Sequence, residues 1–198
     1  MNHISLENSL KITSKTITSK PIYLFFVIIV KMTHVQRTLV VLKPDSVGRS
    51  VVGEIIARFE RAGLHLVGMK MLRPDRDFLF HHYETIGTMV TRHGEKIFDD
   101  TVKTMMRTPI IAIVLEGIEV VEYVRKIVWS TEPKGAAPGT IRGDYAHMSY
   151  GYADAASIGI PNLVHASGNA EEAEKEIKHR FKSDELFEYD PLHKLYTR

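Results

Sequence analysis

Ile110-Ile-Ala-Ile-Val-Leu115 is the stretch on which the fold turns. It is the strongest strand candidate in the chain and it is apolar on both faces. Such a strand has to be covered on both sides, which places it at the centre of a sheet. Working back from it, Glu95 to Met106 and Asp75 to Tyr83 read as helices, the second of them short. Leu64 to Leu72 reads as a strand that Pro74 stops. Val52, Ile55, Ile56 and Phe59 recur at i, i+3, i+4 and i+7, one face of a helix that Gly63 ends. Thr38-Leu-Val-Val-Leu42 is a buried strand rich in branched residues, and the chain turns at Lys43-Pro44-Asp45.

Forward of the central run, Val120, Val124 and Val128 mark a helix ending near Trp129. Ser130 to Asp144 is rich in Pro and Gly and reads as a loop. A weak strand is expected over Tyr145 to Tyr150. Ser167 or Asn169 then caps a last helix, whose first turn carries Glu171, Glu172 and Glu174 where acidic groups suit the helix dipole. The order is strand, helix, strand, helical insert, strand, helix, long loop, strand, helix. That is the α/β plan of a ferredoxin-like (split βαβ) fold with an antiparallel sheet and extra helices.

Of the 198 residues, 44% are hydrophobic and 25% charged, with a formal net charge of +2, an ordinary globular balance that fits a small anionic ligand. There is no cysteine, which excludes disulfides, thiolate nucleophiles and zinc thiolate sites. Residues 1 to 36 read as a leader, disordered or not part of the native protein, ahead of a domain over 37 to 198. Within it, Ile22 to Val30 is an apolar run of nine residues, too few to span a bilayer as a helix. A basic stretch before that run resembles a signal peptide in outline, but no small-x-small cleavage site follows. An added strand, an interfacial anchor, or an upstream start codon with Met32 as the true start are the other readings. A chain beginning at Met32 is expected to be soluble, assembled and active.

Ten histidines offer candidates for chemistry. His81 and His82 are adjacent on a helix, so their rings point about 100° apart and share a metal poorly. Neither H-x-x-x-H nor H-E-x-x-H occurs. His165 differs in its surroundings: Asn162-Leu-Val-His-Ala-Ser-Gly168 is apolar before it and small after it, at the mouth of an acid-started helix. Small neighbours let a bulky group reach the ring, and helix-terminal N–H groups favour anions. Lys43 closes a strand, Arg125 lies near a helix end, and Arg142 sits in Pro138-Gly-Thr-Ile-Arg-Gly-Asp144. Two guanidinium forks and an ammonium on element ends suit a polyphosphate. A Walker-type phosphate loop and the H-R-D and D-F-G signatures are absent.

T-L-V-V-L-K-P-D at 38 to 45, G-E-I-I-A-R-F-E-R-A-G at 53 to 63, P-G-T-I-R-G-D at 138 to 144 and N-L-V-H-A-S at 162 to 167 occur together, in this order. In these motifs, over residues 37 to about 190, the chain resembles the nucleoside diphosphate kinases. The resemblance implies ping-pong transfer of a γ-phosphoryl group between nucleotides on a ferredoxin-like fold. It makes His165 the nucleophile on one ring nitrogen, with Glu176 hydrogen-bonded to the other and fixing the tautomer. Lys43, Tyr83, Arg125, Thr131, Arg142 and Asn162 match positions that hold phosphates and ribose, Lys43 and Tyr83 also counting among the catalytic positions. The resemblance further implies Mg²⁺ carried by the nucleotide phosphates rather than by protein ligands. ATP and other nucleoside di- and triphosphates are the implied partners, in a cytoplasmic homohexamer or homotetramer with no need for nucleic acid or membrane.

The chain departs from the family pattern in four places. Residues are added around Gly87 to Gly94 and around Gly151 to Ile160, and Ala166 follows the histidine where glycine is usual. Ile97, with Phe98 beside it, stands where an aromatic usually stacks on the base. Two rival readings are a catalytically silent nucleotide-binding scaffold and a nucleic-acid-binding regulator. The second lacks the aromatic signature of an RNA-recognition motif.

Overall fold

The computed structural model describes residues 34–197. The expectations for the leader up to Thr33 lie outside the described residues. Strand β1 (Val35–Leu42) leads into the short helix α1 (Pro44–Gly48) and then α2 (Val52–Arg61). Strand β2 (His65–Leu72) follows, then α3 (Arg76–Phe80), a π-helical turn (His81–Ile86), α4 (Met89–His93) and α5 (Glu95–Met105). After β3 (Ile110–Ile118) come α6 (Val120–Val128), α7 (Ile141–Tyr145) and α8 (Tyr150–Ala155). Strand β4 (Val164–Ala166), α9 (Ala170–Arg180) and α10 (Lys194–Thr197) close the described chain.

The four strands lie in the order β2-β3-β1-β4, and every pairing is antiparallel. That is the expected ferredoxin-like plan, with β3 and β1 in the middle. The period of two divides the apolar runs between two cores. Val40, Leu42, Ile111, Ile113 and Leu115 meet Ile55 and Phe59 of α2 and the Val120, Val124, Val128 stripe of α6 on one face. Leu39, Val41, Ala112 and Val114 meet Leu79, Tyr83, Phe98, Val102, Met105 and Ile177 on the other. Gly63 follows α2 at φ +78°, where a side chain would be strained, as expected of a helix-ending glycine.

Two expectations require correction. The strand placed over Tyr145 to Tyr150 does not form, and the fourth strand is β4, built around His165 itself. The 145–150 segment has its polar groups engaged elsewhere: Met148 O accepts from Lys134 N at 2.9 Å, and Ser149 caps α8 by accepting from Tyr152 N at 3.2 Å. The loop from Ser130 to Asp144 holds a 3₁₀ turn over Pro133–Gly135 and the start of α7, capped by Thr140, whose Oγ1 accepts from Gly143 N. A Cβ on Gly143 would collide with the Ala137 carbonyl, so the glycine of P-G-T-I-R-G-D serves a close backbone approach. Asn169, rather than Ser167, caps α9, its side chain accepting from Glu172 N at 2.9 Å. No helix among the described residues is long and apolar enough to cross a membrane.

Candidate active site

The site is built where β1 ends beside β4. Leu163 is fully buried with φ +68°, a left-handed conformation that costs an L-residue roughly 1–2 kcal/mol. Hydrogen bonds from the K-P-D turn hold it there. Leu163 N donates to Asp45 Oδ2 at 2.8 Å, while Leu163 O accepts from Lys43 N at 2.8 Å and Ser46 Oγ at 2.6 Å. Strain held by surrounding contacts in this way is common beside functional groups. It aligns Asn162, whose Oδ1 accepts from Lys43 Nζ at 2.8 Å and whose Nδ2 donates to Thr131 O at 2.8 Å. Burial lowers the Lys43 ammonium to about 8; Asp45 opposes that shift and Arg142 adds to it.

Arg142 is buried, and its guanidinium is turned on main-chain carbonyls. Nε donates to Asn162 O at 3.0 Å, Nη1 to Trp129 O and Ser130 O at 2.8 Å each, and Nη2 to Val164 O. Four of the five N–H donors of a guanidinium are thereby used, tying the end of α6 to β4. Burial brings its pKa down to about 10, with Tyr150 opposing and Arg125 reinforcing. Arg125, exposed on α6, is therefore within electrostatic reach of Arg142, and Thr131 is exposed, its carbonyl accepting from Asn162. Asp144 closes the same loop, accepting from Gly139 N at 2.7 Å and Arg58 Nη1 at 2.7 Å.

His165 lies in β4 opposite Val41 of β1, one strand away from Lys43. Its Nε2 is 2.8 Å from Glu176 Oε1 on α9. The other carboxylate oxygen, Oε2, accepts from Ser167 Oγ at 2.6 Å. Burial alone would raise the Glu176 carboxyl, but His165, Ser167 and Arg180 outweigh it and hold it below its ordinary range. An ionised carboxylate only accepts, so Nε2 carries the proton and Nδ1 keeps its lone pair. Tyr83, on the π turn, is buried in the same region; burial pushes its phenol well up, Arg180 opposing and Glu176 and Asp45 adding to it. On α5, Ile97 is 42% exposed while its neighbour Phe98 is 3% exposed in the core, so Ile97 is the accessible one of the pair.

Sequence reasoning missed several contributors. His82 reads as one of an unhelpful helical pair, yet its ring packs edge-on against His165 with centroids 4.7 Å apart. The π turn buries both His82 and Tyr83. Arg180 donates from Nη1 to His82 Nδ1 at 3.1 Å. Asp45 and Ser167 stand inside quoted motifs without an assigned role. Ser167, the first residue past β4, stands two after His165, and both side chains reach Glu176. His82, His165 and Glu176 form the group of three potential metal ligands among the described residues. The added segment around Gly151 to Ile160 contains α8 and docks on α5: Gly159 N donates to Asp100 O and to Thr104 Oγ1, and Ile160 O accepts from Lys43 Nζ at 3.3 Å.

A family model described as nucleoside diphosphate kinase matches residues 36–186. This chain belongs to the nucleoside diphosphate kinase family. It is 46% identical to a nucleoside diphosphate kinase of Pyrococcus horikoshii over 159 residues, 80% of this chain and 92% of that one. Identity to the Pyrococcus furiosus nucleoside diphosphate kinase is 45% over 158 residues, 80% and 90% of the two chains. Among solved structures, a transition-state mimic of the Borrelia burgdorferi nucleoside diphosphate kinase with bound vanadate and ADP superposes with TM-score 0.80 at 38% identity. It covers 83% of this chain and 98% of that one. The family's chemistry is phosphoryl transfer through a phosphohistidine.

Proposed function

We propose that the chain exchanges γ-phosphoryl groups between nucleoside tri- and diphosphates in two half-reactions, with His165 Nδ1 as the carrier atom. The observation that carries this reading is the 2.8 Å contact between His165 Nε2 and an ionised Glu176. In the first half-reaction the Nδ1 lone pair bonds to the γ-phosphorus and the bond to the bridging oxygen breaks. The nucleoside diphosphate leaves with that electron pair. The positive charge placed on the ring is offset by Glu176 through Nε2–H. A terminal oxygen of a second diphosphate then attacks the phosphorus and the pair returns to Nδ1.

Lys43 and Arg125 supply charge to the phosphates, and Arg142 adds its charge and its remaining N–H. Asn162 holds Lys43 in place, Tyr83 and Thr131 border the phosphate and ribose positions, and Ile97 offers the base an aliphatic platform. The donor set suits a divalent ion that enters on the nucleotide. The ligand trio of two imidazoles and a carboxylate is not the oxygen cage Mg²⁺ demands, and Asp45 is engaged by Leu163 N. Mg²⁺ brought in on the nucleotide would neutralise part of the phosphate charge. The assembly in this reading is a cytoplasmic homohexamer or homotetramer joined through the 130–144 segment. ATP with a second nucleoside diphosphate should give parallel double-reciprocal plots. Intersecting plots, or binding without exchange, would favour the silent nucleotide-binding reading.

A further inference from the structure

His82 Nδ1 stands between two partners. It lies 3.5 Å from Glu176 Oε1, the same oxygen that His165 Nε2 approaches at 2.8 Å. It also lies 3.1 Å from Arg180 Nη1. A guanidinium has no acceptor, so facing Arg180 this nitrogen must carry a lone pair. His82 is then the neutral tautomer protonated at Nε2, and its contact with Glu176 is not a hydrogen bond. Arg180 is 4% exposed, at the end of α9 one turn beyond Glu176, with its guanidinium carbon 5.3 Å from the centroid of Phe78. Its Nε and Nη2 have no hydrogen-bond partner among the described residues. The bond to His82 is therefore the one side-chain hydrogen bond of this buried cation among the described residues.

We propose that Arg180 is a positioning residue of the phosphoryl-transfer site: by holding His82 Nδ1 as an acceptor, it reserves Glu176 Oε1 for His165. Without it, His82 takes the alternative tautomer, donates from Nδ1 to Oε1 and competes for the oxygen that fixes the nucleophile. His165 then divides between its two tautomers, and Nδ1 carries the reactive lone pair for only part of the time. This rests on the reading of His165 as carrier; the His82 tautomer that Arg180 sets is read independently of it. Arg180 makes no hydrogen bond to His165 or Lys43; it acts through its bond to His82, and its charge also bears on Glu176 and Tyr83.

The test uses the full chain with ¹⁵N-labelled histidine, together with single-turnover phosphorylation by ATP. In the parent, the His82 Nδ1 resonance should be that of an unprotonated nitrogen. Arg180→Met should move the proton to Nδ1 and slow phosphorylation about tenfold, with the KM for ATP changed less than twofold. Arg180→Gln, which keeps an N–H for Nδ1, should preserve the tautomer and most of the rate. Adding His82→Phe to Arg180→Met removes the competitor and should bring the rate back to within about threefold of the parent. The proposal is overturned by a protonated Nδ1 in the parent or by a tautomer shift that leaves the rate unchanged. It is equally overturned by a double variant as slow as Arg180→Met. Should Arg180→Met fail to fold, the parent tautomer and the Gln variant decide. The tautomer needs no catalysis to be read. If no variant and not even the parent carried phosphate on His165, the functional reading would fail while the tautomer result stood.

Discussion

Replacing Glu176 by Ala removes the acceptor of two short hydrogen bonds at once, from His165 Nε2 at 2.8 Å and Ser167 Oγ at 2.6 Å. The first is charge-assisted in the transition state, when the ring becomes cationic. Hydrogen bonds to charged groups are worth roughly 1.5–3 kcal/mol, and each 1.4 kcal/mol is about tenfold in rate. Glu176→Ala should therefore lower kcat about ten- to a hundredfold. Glu176→Gln, which keeps one carbonyl oxygen in place, belongs near the lower end. The assay is single-turnover phosphorylation by ATP, with exchange rates measured in parallel. The same residue has a stability signature. Its folded pKa is depressed, so its contribution to stability is present above the unfolded value near 4.5 and is lost as pH falls through the folded value. Thermal unfolding of Glu176→Gln should thus lose less on acidification below about pH 4.5 than the parent does. A Glu176→Ala variant phosphorylated within twofold of the parent rate would refute the reasoning.

Lys43, lowered to about 8 from 10.5, binds fewer protons folded than unfolded, so stability should rise between those values, and Lys43→Met should abolish that rise in a melting series. In the same variant series, kcat/KM of the parent should fall above about pH 8 as the free enzyme loses this ammonium. Arg125→Ala should cost roughly 2–4 kcal/mol of transition-state stabilisation, equally for ATP, GTP and CTP, whereas a base-selective defect would misplace it. Arg142→Ala should show the same loss and also a lower melting temperature, because four carbonyls lose their donor. Ile97→Phe should lower nucleotide KM without reordering the bases, since stacking is worth about 1–3 kcal/mol per base, and an unchanged KM would move the platform elsewhere.

Much of this fold was legible because long apolar runs and helical spacing report burial directly. The 110–115 run, the Val52 to Phe59 face and the Val120 to Val128 stripe all lie where their periods put them. Strand β4 was not legible, because three residues carry no period; its pairing with Val40 to Leu42 exists only in the folded sheet. The motif residues around His165, Lys43 and Arg142 stood out by their company in sequence. His82 and Arg180 did not, since they are far apart in the chain and meet only when α9 docks on the π turn. Burial of a polar side chain depends on what packs over it, which no local pattern encodes.

The most direct test of the central claim is to mix the protein with γ-³²P-labelled ATP and follow the label. It should be retained on the protein, lost in acid, stable in base, discharged by a nucleoside diphosphate to give labelled triphosphate, and absent from His165→Ala along with exchange activity. Label or exchange persisting in His165→Ala would contradict the account.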